Sequence, residues 1–208
     1  MCVICVKNKG IQMPTKKDFK DMWNRNKDGG GYMYARDGKV HISKGYMDFE
    51  SYMFAIESEK FTRDDVVVFH TRIGTQAGVN PQMTHPYPLT KSLEMCKKLD
   101  LTCQCGVAHN GIIQLTTNPN EKEYNDTCLF ITKYLVKLVR KPSDLLDENI
   151  KTMIEKLTNS RWALLDGSGQ LMLVGNWVEK DGLMYSNNYH FDFDWQWNKY
   201  LKRVSLFK

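Results

Sequence analysis

Hairpins at both ends of the chain are the feature that most constrains its fold. Three pairs of strand-like runs are each joined by a turn containing Asp and Gly, residue types that tight hairpin loops favour. The pairs are 32–36 with 39–43, 162–165 with 171–174, and 177–179 with 183–186. Strands joined by such short turns run antiparallel. The sequence therefore predicts antiparallel sheets rather than a parallel, doubly wound sheet.

Helical patterns occupy the stretches between these hairpins. Phe49, Tyr52, Met53 and Ile56 recur at the spacing of one helix face, and similar patterns occur over 131–138 and beyond Ser143. Continuous apolar runs at 2–6 and 66–69 are typical of buried strands. Helices grouped between hairpins predict an α+β domain in which helices cover antiparallel sheets. We expect one domain spanning 1–208.

Composition narrows the function classes. The 208 residues are 42% hydrophobic and 25% charged, with a net charge of +5, which is ordinary for a soluble domain. No run approaches the roughly 18 apolar residues of a membrane span, and the start does not resemble a signal peptide. Basic residues form no stripe with interleaved aromatics, so nucleic-acid binding is not expected. The expected location is the cytoplasm.

The six cysteines could indicate a metal site or a redox motif. In a cytoplasmic protein they are expected to be reduced thiols. Cys96, Cys103, Cys105 and His109 are metal-ligand types, but their spacing matches no standard zinc module. The C-x-x-C formed by Cys2 and Cys5 lies in an apolar run rather than at a helix start, where redox motifs occur. We therefore expect neither a metal nor an organic cofactor.

Cys2 follows the initiator methionine directly. Its side chain is small enough to permit removal of Met1, which exposes an α-amino group with a pKa near 8. One residue then supplies both a nucleophile and a base, the arrangement of N-terminal-nucleophile enzymes. The alternative is an ordinary buried cysteine at the start of a strand, and Cys2 alone does not exclude it.

Three later positions fit a site around the same substrate. Arg72 follows the strand-like run at 66–69, where the strand opens into a loop, and has the fork geometry that binds a carboxylate, although a surface arginine is the simpler interpretation. Asn110 and Gly111 separate the strand-like runs 105–108 and 112–115; they suit an oxyanion hole, or an Asn-Gly hairpin turn. Asp126 precedes a helix and suits an ammonium group, or a helix cap.

Taken in their order along the chain, these residues and several others resemble the motif pattern of the class II glutamine amidotransferase domain, a member of the N-terminal-nucleophile hydrolase superfamily. The matching elements are Cys2, Arg25 with Asp28 and Gly31, His70-Thr71-Arg72, His85-Pro86, His109-Asn110-Gly111 and Asp126-Thr127. Each element is weak alone, and the ordered set covers roughly residues 2–130. The resemblance implies a four-layer αββα sandwich of antiparallel sheets.

The resemblance also implies roles. Cys2 attacks the side-chain amide of glutamine, and the oxyanion is held by the Asn110 side chain and the Gly111 N–H. Arg72 binds the substrate α-carboxylate, and Asp126 binds its α-ammonium. A thioester forms, ammonia leaves and water releases glutamate.

Further residues follow from the family pattern. Arg25 counts among the catalytic candidates, and Thr75 and Gln76 are expected to line the substrate pocket. The chain departs from the pattern at Ile73, where an aromatic residue is usual, and at Asn26, where glycine is usual. A further departure is the opening run Cys2-Val3-Ile4-Cys5, which lacks the usual early glycine.

The fate of the ammonia and the identity of the substrate stay open. The residues after Asp126 are predicted to complete the same domain, so a separate synthetase or transferase subunit is expected to use the ammonia. One alternative is an N-terminal-nucleophile hydrolase of another amide, such as a γ-glutamyl or acyl-amide bond. Another is a catalytically silent binding protein with the same fold, which would retain Met1.

Overall fold

The computed structural model describes residues 1–74, 78–115 and 121–191. These residues form an α+β structure with two antiparallel sheets. None of the helices within these ranges has the length and apolar character needed to cross a membrane.

Eleven strands and six α-helical segments are present in the described ranges. The strands are β1 (Val3–Lys7), β2 (Gly30–Arg36), β3 (Lys39–Tyr46), β4 (Val67–Thr71), β5 (Tyr87–Pro88), β6 (Asp100–Cys103), β7 (Cys105–Asn110), β8 (Arg161–Asp166), β9 (Leu171–Val174), β10 (Val178–Lys180) and β11 (Leu183–Tyr185). The helices are α1 (Lys16–Arg25), α2 (Phe49–Ser58), α3 (Leu93–Lys97), α4 (Asp126–Phe130), α5 (Val136–Leu138) and α6 (Glu148–Thr158). A π-helical turn (Ile131–Leu135) joins α4 to α5, and 3₁₀ turns cover Pro81–Met83 and Pro142–Leu146.

The larger sheet has seven strands in the order β10-β11-β1-β4-β2-β3-β6, and the smaller has four in the order β5-β7-β8-β9. The three predicted hairpins are present as β2–β3, β8–β9 and β10–β11. In the first turn, Asp37 and Gly38 both have positive φ, as a type I′ hairpin requires.

Apolar side chains on β1 alternate between two apolar clusters. On β1, Val3 and Cys5 pack with residues of α1 and α2, such as Phe19 and Tyr52. Ile4 instead packs with Met33, Val68 and other residues of the larger sheet, and with Ala108, Ala163 and Leu165 of the smaller one. A third cluster joins the smaller sheet to α4 and α6 through residues such as Trp162, Phe130 and Ile154. The two-residue period of a strand explains why one strand serves two cores.

Local signals explain several helix starts. Thr15 caps α1, and a reciprocal capping box links it to Asp18, which satisfies backbone N–H groups that lack partners within the helix. Asp48 caps α2 in a similar way. The spacing of the apolar residues predicted α2.

One predicted strand is wrong. Residues 112–115 do not form a strand in the structure. The chain leaves the smaller sheet after Asn110, and the N–H of Ile113 donates to the Asp126 carboxylate at 2.6 Å. That hydrogen bond directs the segment to the start of α4 instead of back along β7. Asn110 and Gly111 are therefore not the turn of a hairpin.

The buried side chain of Lys44 holds neighbouring loop segments in place beside the predicted site residues. Lys44 on β3 is almost fully buried, and its ammonium donates to the carbonyls of Gln82, Thr84 and Cys96 at 2.7–3.0 Å. It also lies 3.8 Å from the centre of the Tyr87 ring. Burial lowers the pKa of Lys44 to about 7. These contacts hold the loop that carries His85.

Candidate active site

The pairing of β1 with β4 brings Cys2 next to the end of β4. Val3 pairs with Thr71 in this antiparallel ladder, so the preceding residue Cys2 meets the chain that leaves β4. The backbone N–H of Ile73 lies 3.4 Å from the Cys2 Sγ, and the thiol lies 3.6 Å from the Ile73 carbonyl oxygen. On the other side, the Asn187 side-chain amide donates to the Cys2 carbonyl at 2.7 Å.

Cys2 opens on a small cavity shared with residues from distant parts of the sequence. Its described lining comprises Cys2, Arg72, Ile73, His85, His109, Gly111, Asn125, Asp126 and Thr127. The free volume is about 20 Å³, which is room for about one water molecule. Four of the predicted site residues, Cys2, Arg72, Gly111 and Asp126, therefore face the same space.

Arg72 is a buried residue rather than a surface arginine. Its backbone N–H donates to Gly29 at 2.8 Å, and its carbonyl accepts from Asp28 at 3.0 Å. The Asp28 carboxylate also accepts from the Gly74 N–H at 2.8 Å. The segment of Asp28 and Gly29 thus holds the chain on both sides of Arg72.

Asn110 is buried at the end of β7, and its amide contacts Ser186. The Asn110 Nδ2 lies 2.8 Å from the Ser186 Oγ, and that hydroxyl also accepts from the Ile4 N–H at 2.9 Å. The Asn110 Oδ1 is buried and has no hydrogen-bond partner among the described residues. A half-turn of the amide exchanges its oxygen and nitrogen. Ser186 then donates to Oδ1, and Nδ2 occupies the unpaired position.

Gly111 occupies a point of close approach. A Cβ atom placed on Gly111 would overlap the side chain of Ser160 and come within 3.1 Å of the His109 Nε2. Its φ angle is not positive, so crowding and not backbone conformation demands glycine here. The absence of a side chain lets Ser160 and the His109 ring approach the Gly111 backbone closely.

Asp126 is the first residue of α4, and the N-cap is its neighbour Asn125. One Asp126 oxygen accepts from the Ile113 N–H at 2.6 Å, and the other accepts from the Thr127 N–H at 2.8 Å. Burial raises the pKa of the Asp126 carboxyl, and these N–H groups partly offset the rise. Asp126 therefore organises the loop after Gly111 while it also faces the cavity.

Three buried histidines, His70, His85 and His109, cluster beside the cavity, and His85 and His109 line it. His85 and His109 both contact the Thr127 hydroxyl, through Nε2 at 3.2 Å and Nδ1 at 2.8 Å respectively. The rings of His70 and His85 lie 4.3 Å apart. The His70 Nε2 is 3.2 Å from the His109 carbonyl oxygen, so Nε2 carries the proton of a neutral ring. Burial lowers the pKa of His70 and of His109 to about 3, and lowers that of His85 well below its usual range.

The Cys2 thiol needs a base in order to react. Burial raises the pKa of the Cys2 thiol, and the Ile73 N–H and the Arg72 charge offset only part of the rise. The thiol is therefore protonated at neutral pH. The neighbouring histidines are weak bases, since their pKa values are so low.

The remaining predicted residues lie elsewhere. Arg25 is exposed at the end of α1 and does not belong to the described lining of the cavity. Thr75 and Gln76 lie outside the described residues. Within the described ranges, no group of three or more His, Cys, Asp or Glu side chains is arranged to hold a metal ion.

Sequence reasoning missed Ser186 and Asn187, which connect β11 to Asn110 and to Cys2. Both contacts span long separations in the chain, and no local pattern marks these two residues. His85 and Thr127 did appear in the family pattern, but without a role.

No protein-family model matches the chain, and no curated protein matches it. The interpretation of the site therefore depends on its geometry and on the ordered motifs.

The buried histidines predict a pH dependence of stability. Their pKa values are near 6.5 when unfolded and about 3 when folded for His70 and His109. Below pH 6.5 the unfolded chain binds more protons than the folded chain, so the free energy of unfolding should fall as pH falls. Urea unfolding between pH 6.5 and 5 measures this, above the range in which most carboxylates titrate.

Nitrogen NMR of the rings provides the direct control. In the folded protein at pH 5, His70 and His109 should give neutral-ring signals, whereas in urea all five rings should titrate near pH 6.5. Imidazolium signals for His70 and His109 in the folded protein at pH 5 would contradict the account.

Proposed function

We propose that the protein is an N-terminal-nucleophile amidohydrolase of the class II glutamine amidotransferase type, which releases ammonia from glutamine. The observation that carries the proposal is the shared cavity of Cys2, Arg72, Gly111 and Asp126. These residues come from four separate segments, and each has the chemical character that its role requires. We also infer that the two sheets and their helices form a four-layer αββα sandwich.

The proposed base is the α-amino group of Cys2 after removal of Met1. The thiol is protonated at neutral pH, and the histidines of the cavity are too weakly basic to accept its proton. An α-amine with a pKa near 8 has a basicity suited to the task. Met1 is half exposed, which is consistent with access by an aminopeptidase.

The reaction then has two stages. The thiol proton passes to the amine, and the thiolate attacks the amide carbon of the glutamine side chain. The amide nitrogen takes a proton as the C–N bond breaks, so ammonia leaves and a thioester remains. Water attacks the thioester, which releases glutamate and restores the thiol.

The oxyanion of each stage requires preorganised donors. The Gly111 N–H and the Asn110 Nδ2 are the proposed donors, the latter in the amide orientation in which Ser186 donates to Oδ1. The unpaired, buried Asn110 atom supports this assignment. Loss of one such donor typically lowers kcat by about 10²–10³-fold.

Two opposite charges are proposed to select glutamine over a simple amide. Arg72 binds the α-carboxylate and Asp126 binds the α-ammonium. Ile73 replaces the aromatic wall usual in the family and also lines the cavity. A free volume of about 20 Å³ is too small for glutamine, so binding must widen the cavity.

The proposed acceptor of the ammonia is a separate synthetase or transferase subunit, and the proposed location is the cytoplasm. No organic cofactor or metal enters the proposed mechanism, since each step uses only the chain, the substrate and water.

The first test is glutamate formation by the Met1-processed protein at millimolar glutamine. We expect turnover that Cys2→Ala lowers by about 10³-fold or more, because the nucleophile is lost. Cys103→Ala, a half-buried cysteine on β6, is the matched control and should retain activity. Equal activity of the Cys2→Ala variant and the unaltered protein would exclude the mechanism.

A second substrate, glutaramate, tests whether the site selects glutamine over other amides. Glutaramate carries the same amide and carboxylate but lacks the α-ammonium. Asp126→Asn should lower kcat/KM for glutamine about 10²-fold further than kcat/KM for glutaramate, since only glutamine loses a buried charge pair. The loss of one acceptor for the N–H groups of Ile113 and Thr127 affects both substrates alike. Equal losses on both substrates would favour a hydrolase of another amide.

Ser186 is predicted to act as a positioning residue for Asn110. Ser186→Ala should lower kcat by about tenfold with little change in KM, because the oxyanion donor loses its orientation. Ser186→Thr retains the hydroxyl and should restore most of the rate. Ser58→Ala, an exposed hydroxyl on α2, is the control. A normal kcat in Ser186→Ala would contradict the role.

A further inference from the structure

We propose that a second cavity, separate from Cys2, binds a small organic anion with an apolar body. Its volume is about 530 Å³, within the range of roughly 300–1,000 Å³ typical of small-molecule sites. It is lined by the end of α5 and the segment after it, by the segment after β5 and by the start of β7. The proposal does not depend on the function proposed for Cys2.

The floor of this anion cavity is apolar. Val139 and Leu145 are almost completely buried, and Leu89 and Val136 are partly buried against the same core cluster. All four line the cavity. Such a floor favours a ring or an alkyl chain over a fully hydrated ion, because apolar contact gains about 25 cal/mol per Å² removed from water.

The rim of the anion cavity is cationic. Four basic residues line it and are exposed: Lys91, Lys137, Arg140 and Lys141. Lys91 follows β5, Lys137 lies in α5, and Arg140 and Lys141 come in the segment after α5. In the described part of the chain, none of the four forms a salt bridge with a carboxylate side chain within 4 Å.

The carboxylates near the cationic rim already accept hydrogen bonds from the chain. Asp144 lies next to this rim, and one carboxylate oxygen accepts the backbone N–H groups of Arg140 and Lys141 at 2.8 and 3.2 Å. Asp166 accepts from the backbone and hydroxyl of Ser168 in the β8–β9 turn. The Arg140 Nε donates to the Lys137 carbonyl at 3.0 Å, which holds the base of the guanidinium.

The anion cavity lies far from Cys2. Cys105 at one end of β7 lines it, and Asn110 at the other end belongs to the candidate active site. Five strand steps separate these residues by about 17 Å. The helical segment from Asp126 to Leu138 likewise begins at Cys2's cavity and ends at the anion cavity.

The apolar floor and the cationic rim together favour one class of ligand. A phosphate or carboxylate suits the Arg140 fork and the lysines, and a body as large as a fused ring suits the floor. An inorganic ion lacks the apolar part, and a neutral hydrocarbon lacks the charge. Either one alone should bind weakly.

The test uses 1-naphthyl phosphate as the probe, titrated into the full chain by calorimetry. We expect saturable binding of one molecule per chain. Inorganic phosphate and 1-naphthol, tested separately, should each bind about tenfold more weakly or worse. Decyl phosphate replaces the ring with a chain and shows whether an aryl or an alkyl body is preferred.

Variants locate the binding. Lys137→Gln with Arg140→Gln should weaken the probe about tenfold, whereas Lys122→Gln with Lys156→Gln removes the same charge elsewhere and should not. Cys2→Ala should leave binding unchanged. Three outcomes would overturn the proposal: no saturable binding, equal weakening by both double variants, or loss of binding in Cys2→Ala, which would move the probe to the other cavity.

Discussion

The candidate site depends on the antiparallel pairing of β1 with β4. The register that sets Val3 opposite Thr71 brings Cys2 beside Arg72 and Ile73. A slip of one residue would turn every side chain of β1 to the opposite face of the sheet. Ile4 and Val6 would then leave the core between the sheets, so the cost of losing that burial holds the register and thereby the thiol.

The second sheet is tied to this strand by polar contacts. Ser186 contacts both the Ile4 N–H and the Asn110 amide, and Asn187 contacts the Cys2 carbonyl. On the other side of the cavity, Thr127 joins His85 to His109. Buried polar groups are costly unless they are hydrogen-bonded, and here the partners come from distant segments. The proposed nucleophile and the proposed oxyanion donors are therefore held by different elements that share hydrogen bonds.

Local chemistry predicted the parts of the fold that are local. The Asp37-Gly38 turn requires positive φ at both residues, and Thr15 with Asp18 forms a capping box within four residues. Residues 112–115 were predicted to form a strand because they are apolar, but Asp126 captures the Ile113 N–H from 13 positions away. Nothing in the local sequence pattern indicated the hydrogen bond between Ile113 and Asp126. Arg25 shows the same limit, because its spacing fits the family pattern while its side chain is exposed.

The residues of the candidate site likewise divide into those that the sequence predicted and those that it did not. Cys2, Arg72, Gly111 and Asp126 were chosen from the sequence, and all four line one cavity. Ser186 was not chosen, since it lies 76 residues from Asn110 and belongs to no motif. Residues that act on a substrate have distinctive chemistry and recur in ordered motifs. Residues that hold them in place are ordinary polar side chains, and only the folded chain shows which ones meet.

The most direct measurement of the central claim is the mass of the N-terminal peptide after reaction with a glutamine analogue in which a diazoketone replaces the side-chain amide. The diazo carbon of this analogue takes up the proton that leaves the thiol, the thiolate displaces nitrogen from that carbon, and a stable thioether forms. The account predicts a peptide that begins at Cys2, lacks Met1 and carries one adduct on Cys2. A peptide that retains Met1 and carries no adduct, with the analogue present at millimolar concentration, would contradict it.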